Sequence, residues 1–195
     1  MKVYPRLNYM GDVYRPSDDS WLLTAVLDVR NLRGEICIDL GAGSGVLGIY
    51  ALLNSICERV VLVDIDENAV NSVEQNLHLN GVHHFGIPVL SDTTFIREGS
   101  VDMVLANPPY LPAYDPLNLD VATEGGPLGF EKVLYFIEYA KKALRPGGRL
   151  ILVYSSLSSP DIVEEHIIKS GFKVVFTIKK EFFFETLFSV ECVKD

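Results

Sequence analysis

Short runs of consecutive apolar residues alternate along the chain with segments whose apolar positions recur every three or four residues. That is the pattern of buried strands alternating with amphipathic helices. Ser17, after Pro16, suits the cap of a helix over 18–31, with Trp21, Leu22, Ala25, Val26 and Val29 on its apolar face and Gly34 ending it. A strand over 36–40 runs into a glycine turn and a helix over 46–53. A second strand, 60–64, precedes the capping sequence Asp66-Glu67-Asn68 and a helix to residue 79. Strands follow at 88–90 and 101–106, then a helix over 130–144, a turn at Pro146-Gly147-Gly148 and a strand over 149–154. A helix over 161–170 and strands near 173–179 and 185–191 close the chain.

Strands apolar on both faces predict a parallel sheet covered on both sides. The last two are too close in sequence for a parallel crossover and predict an antiparallel hairpin. The expected fold is α/β, Rossmann-like and doubly wound, with about seven mostly parallel strands, an antiparallel C-terminal hairpin and helices on both faces. Residues 1–195 read as a single domain, in which 1–33 form an N-terminal segment and helix over the ligand site. The run Phe182-Phe183-Phe184 reads as core and hairpin packing.

Composition narrows the partners. With 48% hydrophobic residues among 195, the chain can bury a core, which excludes disorder as its main state. A formal charge of −9 argues against a broad surface that tracks phosphates. Cys37, Cys57 and Cys192 are far apart and odd in number, so neither a metal site nor a disulfide framework is predicted. With no long apolar span, the expectation is a cytoplasmic protein without membrane attachment.

The turn Asp39-Leu40-Gly41-Ala42-Gly43-Ser44-Gly45 joins a strand to a helix, where a close ligand needs residues without Cβ and meets exposed backbone N–H groups. Val46 occupies the third-glycine position of a dinucleotide turn, so the spacing suggests S-adenosyl-L-methionine instead. Asp39 can attract the ammonium of that cofactor, Asp64 can accept from ribose hydroxyls, and Asp92 can accept from the adenine amine. The fourth strand ends in Asn107-Pro108-Pro109-Tyr110. Two prolines stiffen this turn and remove donors. The Asn107 carboxamide oxygen and the Pro108 carbonyl can then accept both hydrogens of a planar NH₂ group, beside the flat face of Tyr110. An acidic connection carrying Asp115, Asp120 and Glu124 would wall this site.

The stretch 13–21, the glycine turn, Asp64, Asp92, Asn107-Pro108-Pro109-Tyr110 and Glu124-Gly125-Gly126-Pro127-Leu128-Gly129 together resemble the HemK/PrmC group of class I methyltransferases. The short chain is similar to Mtq2-type enzymes, which methylate the glutamine of the Gly-Gly-Gln loop in class 1 translation termination factors. The resemblance implies cofactor contacts at Ser20, Asp39, Gly41, Asp64, Asp92, Thr93 and Asn107, with S-adenosyl-L-homocysteine as product. It implies substrate contacts at Asn107 and Pro108, and a small zinc-binding activator of the Trm112 type at one sheet edge. Arg15, Ser17 and Trp21 depart from the family pattern. The same NH₂ chemistry leaves RNA guanine-N2 methylation and protein-lysine methylation as alternatives, while duplex DNA is disfavoured by the acidic surface.

Overall fold

A computed structural model describes residues 2–92, 96–112 and 123–195. The elements are α1 (Asp18–Val29), β1 (Gly34–Leu40), α2 (Val46–Leu53), β2 (Cys57–Asp64), α3 (Glu67–Leu79), β3 (Gly86–Leu90), β4 (Val101–Ala106), β5 (Leu111–Pro112) and β6 (Glu124–Gly126). They continue with α4 (Glu131–Ala143), β7 (Leu144–Ser155), α5 (Pro160–Lys169), β8 (Phe172–Glu181) and β9 (Thr186–Lys194). Among the described residues the main sheet has seven strands in the order β3-β2-β1-β4-β7-β9-β8. All pairings are parallel except those of β9, which runs antiparallel to β7 and β8.

Alternation along the central strands divides the core into two layers. Met103 and Leu105 of β4, with Ile151 and Val153 of β7, face α1, α2 and α3. Val104 and Ala106, with Leu150 and Leu152, face α4 and α5. Neither face is solvated, so these strands read as unbroken apolar runs.

Four details differ from the sequence expectation. The buried face of α1 is Leu22, Leu23, Val26 and Leu27, whereas Val29 is exposed. Strand β7 begins at Leu144, because an irregularity in its pairing with β4 carries Pro146-Gly147-Gly148 within the strand. The aromatic run is not core: Phe183 and Phe184 stand almost fully exposed at the β8–β9 turn. Finally, Cys37 and Cys57 are joined in a disulfide with Cα atoms 6.2 Å apart. Their distance in sequence hides that the β1–α2–β2 crossover makes their strands neighbours. Cys192 is the free cysteine, and burial pushes its thiol up to about 12.

The N-terminal segment is tied down by side chains that imitate a strand. Asn8 N–H donates to Asn76 Oδ1 (2.7 Å) and Arg6 N–H to Asn80 Oδ1 (2.9 Å), while both carboxamides donate back to the carbonyls of the same residues. One turn earlier on α3, Ser72 Oγ accepts from Met10 N–H (2.9 Å). The match is geometric: four residues of helix rise about 6 Å, close to the roughly 6.6 Å spanned by two residues of extended chain. A column at 72, 76 and 80 can therefore pair with 10, 8 and 6. Asn76 is fully buried and also donates to Ser44 O in the glycine turn (2.9 Å).

Asn76→Ala should therefore lower stability by about 2–4 kcal/mol and expose residues 2–12 to proteolysis; a urea midpoint within error of wild type would refute the bracing role. Unfolded without reductant, the protein should titrate one thiol, and three would contradict the Cys37–Cys57 bond.

Candidate active site

The C-terminal ends of the first four strands open into a cavity of about 860 Å³. This is the crevice where open α/β sheets bind ligands. Ser20, Gly41, Gly43, Asp64, Asp92 and Asn107 line it, and Pro108, Pro109 and Tyr110 complete that wall. Thr93, Asp115 and Asp120 lie outside the described residues.

Gly41, Gly43 and Gly45 all take left-handed backbone angles, with φ of +67°, +53° and +79°. Side chains rarely tolerate this region, so the spacing of glycines is a requirement of the turn. They then diverge in role. A Cβ on Gly43 would meet no atom of the described residues within 4 Å beyond its chain neighbours, whereas one on Gly45 would press on Ile49, Leu62 and Val73. Gly43 therefore leaves room for a ligand, and Gly45 permits α2 to pack.

Two carboxylates hold the turn from behind and from the side. Asp64 Oδ2 accepts from Gly43 N–H (2.8 Å) and its other oxygen from Asp66 N–H (3.0 Å). Each oxygen keeps a second lone pair for a hydroxyl donor. Asp39 Oδ2 accepts from Gly48 N–H (2.8 Å), while Oδ1 is buried with no partner among the described residues. Burial, and after it the charge of Asp64, pushes the Asp39 carboxyl up to about 7 against the opposing Gly48 bond. A buried oxygen that lacks a donor, behind a turn with open space, fits a ligand bearing positive charge.

At the other end, Asn107 donates from Nδ2 to Ser20 Oγ at 3.4 Å, and its Oδ1 is buried without a partner among the described residues. The turn at 107–110 is backed by Glu124–Gly129. A Cβ on Gly125 would fall 2.6 Å from Pro109 O, and one on Gly129 would fall 2.6 Å from Tyr110 O. These glycines let one backbone lie directly on the other, which explains their number beside the proline turn. The short parallel β5–β6 pair, absent from the sequence expectation, is part of the same contact.

Several site residues were not assigned from sequence. Asp19, 3% exposed, accepts from Tyr14 OH (2.9 Å) and Tyr110 OH (3.3 Å). Phe136 of α4 covers Gly41, where a Cβ would come within 3.0 Å of its ring, and Tyr135 OH donates to Asp92 O (2.9 Å). The acidic and aromatic residues of 14–19 were visible as a motif, but their convergence on the fourth strand depends on where α1 crosses the sheet.

Residues 17–185 match the family described as the methyltransferase small domain. The chain is 31% identical over 189 residues to a Methanocaldococcus jannaschii protein named, provisionally, as a protein N5-glutamine methyltransferase, covering 93% of this chain and 92% of that one. It is 32% identical over 160 residues to ribosomal RNA small subunit methyltransferase C of Mannheimia succiniciproducens, covering 82% of this chain but 42% of the relative. Among solved structures it is similar to the E. cuniculi Mtq2–Trm112 complex, described as responsible for methylation of the eRF1 translation termination factor. The TM-score is 0.69 at 27% identity, over 95% of this chain and all of that one.

The raised Asp39 pKa has a definite sign. An acid whose folded pKa exceeds its unfolded value stabilises the fold while protonated, so this contribution is lost as pH rises from about 3.8 to about 7. Asp39→Asn should remove that part of the decline, measured in the ligand-free protein by urea unfolding between pH 4.5 and 7.5. Parallel pH profiles for the two proteins would refute the assignment.

Proposed function

Because the chain belongs to the methyltransferase small domain family, and is thereby a methyltransferase, we propose that it methylates the N5 nitrogen of the glutamine in the Gly-Gly-Gln loop of a class 1 translation termination factor. The observation that carries this reading is the buried Asn107 Oδ1, without a partner among the described residues, at the head of a proline-stiffened turn on the cavity wall. The M. jannaschii relative and the E. cuniculi structure support the substrate class.

S-adenosyl-L-methionine supplies, when bound, an electrophilic methyl group and leaves as S-adenosyl-L-homocysteine. Gly41, Gly43 and Ser20 would border its amino acid moiety, Asp39 would supply negative charge behind the turn, and Asp64 would accept from its ribose. Asp92 stands at the far wall for the base, with Thr93 in the adjoining segment. Asn107 Oδ1 and the Pro108 carbonyl accept the two amide hydrogens, while Pro109 keeps the turn rigid and Tyr110 flanks the amide plane. An amide nitrogen is a weak nucleophile because its lone pair is delocalised. Acceptors on both hydrogens favour pyramidalisation and take up the charge that develops as the N–C bond forms and the methyl C–S bond breaks. The bonding pair stays on sulfur, and nitrogen then releases one proton to water. Holding the nitrogen in line contributes much of the remaining acceleration.

A partner of the Trm112 type, a small zinc-binding activator, belongs to the same proposal, and the edges of the sheet support it. β8 is guarded by Lys173, Lys179 and Lys180, as exposed edges usually are. β3, the opposite edge, carries no charge, and Ile65, Phe85, Ile87 and Leu90 around it are each more than half exposed.

Labelled S-adenosyl-L-methionine should mark a class 1 termination factor, more strongly with the zinc-binding partner present; label appearing only in RNA would overturn the glutamine reading. Asn107→Ala should keep cofactor affinity within a few fold while kcat drops about 10²–10³-fold. Asp64→Ala should instead weaken cofactor binding, as read by calorimetry.

A further inference from the structure

We infer that Asp19 is a positioning residue which, acting through the Ser20 hydroxyl, fixes which end of the Asn107 carboxamide faces the cavity. The inference rests on the reading of Asn107 as the acceptor for a substrate NH₂ group.

A carboxamide has two ends of nearly equal size and opposite hydrogen-bonding character. Only one orientation serves an NH₂ substrate; the other would set donor against donor. Neighbouring groups must therefore define the orientation, and the network around Asn107 does so from one direction.

The carboxylate of Asp19 accepts and cannot donate. Its Oδ2 is occupied by the hydroxyls of Tyr14 (2.9 Å) and Tyr110 (3.3 Å). Burial first, and the Asp19 charge next, hold both phenols well above their usual range, so they remain donors. Its Oδ1 accepts from Ser20 N–H (2.6 Å) and from Ser20 Oγ–H (3.2 Å). The serine hydroxyl has a single hydrogen, and Asp19 engages it. Toward Asn107, 3.4 Å away, Ser20 Oγ can then only accept. Asn107 must turn its NH₂ end to Ser20, which leaves Oδ1 toward the substrate side. Because the same carboxylate anchors Tyr110, it also fixes the ring that borders the amide plane.

A double-substitution cycle tests this with a signature that loss of structure would not give. In Asp19→Ala, no carboxylate engages the Ser20 hydroxyl hydrogen, which can then point at Asn107 and favour the flipped amide. Turnover of a glutamine-containing substrate at saturating cofactor should fall about a hundredfold, with the cofactor Kd changing much less. Asn107→Asp alone should also lose turnover, since two carboxylates would compete for one hydroxyl hydrogen. Combined with Asp19→Ala, it should recover at least about tenfold over the Asp19→Ala single variant, because a carboxylate presents an acceptor whichever way it turns. Additive losses in the double variant would overturn the inference. If Asp19→Ala fails to fold, Ser20→Ala keeps both tyrosine bonds and removes the relay; unchanged kcat would again overturn it. One measurement does not depend on the substrate: neutron diffraction from the free enzyme should place the Asn107 hydrogens on the Ser20 side. Hydrogens on the cavity side would overturn the inference even where the wild type methylates glutamine. No methylation of glutamine by the wild type, with hydrogens on the Ser20 side, would instead overturn the substrate reading alone.

Discussion

The site depends on a turn whose backbone most residues cannot adopt. Three alternating glycines in left-handed conformation bring the chain from β1 into α2. Such a turn has little intrinsic preference for one shape, so its surroundings must impose it. Asp39 and Asp64 accept from Gly48 and Gly43, and the Asn76 carboxamide donates to Ser44 O. These three braces come from the strand before the turn, the neighbouring strand and α3. The cradle is therefore correct only when β1, β2 and α3 are assembled.

The asparagine column extends this dependence to the N-terminal segment. Asn76 joins that segment to the glycine turn with one carboxamide, and the segment continues to Asp12, Val13 and Tyr14 on the cavity wall. A displacement of the segment is thus felt at the cradle through a rigid side chain in a dry environment, where an unmade bond is costly. Glu191, fully buried in β9, does comparable work for α1: it pairs with Arg30 at 2.6 Å and with Arg149. Since α1 begins with the residues that meet Asn107, that ion pair is part of the site's scaffold.

The sequence disclosed the sheet because alternation within the strands is unambiguous: Met103, Leu105 and Val104, Ala106 are apolar on both sides, and only a doubly covered sheet accepts that. It disclosed the glycine turn, the strand-terminal acids and the proline turn because each demands particular residue types at fixed spacing. It did not disclose the column at 72, 76 and 80, since asparagine within a helix ordinarily suggests a cap or a weak position, and the partner backbone lies more than sixty residues away. The disulfide was missed for a related reason, because pairing of cysteines depends on strand order and not on spacing. The run Phe182-Phe183-Phe184 misleads because aromatic composition says nothing of direction, and the hairpin tip turns the rings of Phe183 and Phe184 out to solvent.

Two buried acceptors, Asp39 Oδ1 and Asn107 Oδ1, have no donor among the described residues of the protein itself. A buried acceptor of this kind tolerates a donor beside it and penalises another acceptor. The glycine cradle and the proline turn thus each carry an acceptor in a dry setting, so this part of the fold is selective by the neighbours it refuses as much as by those it accepts.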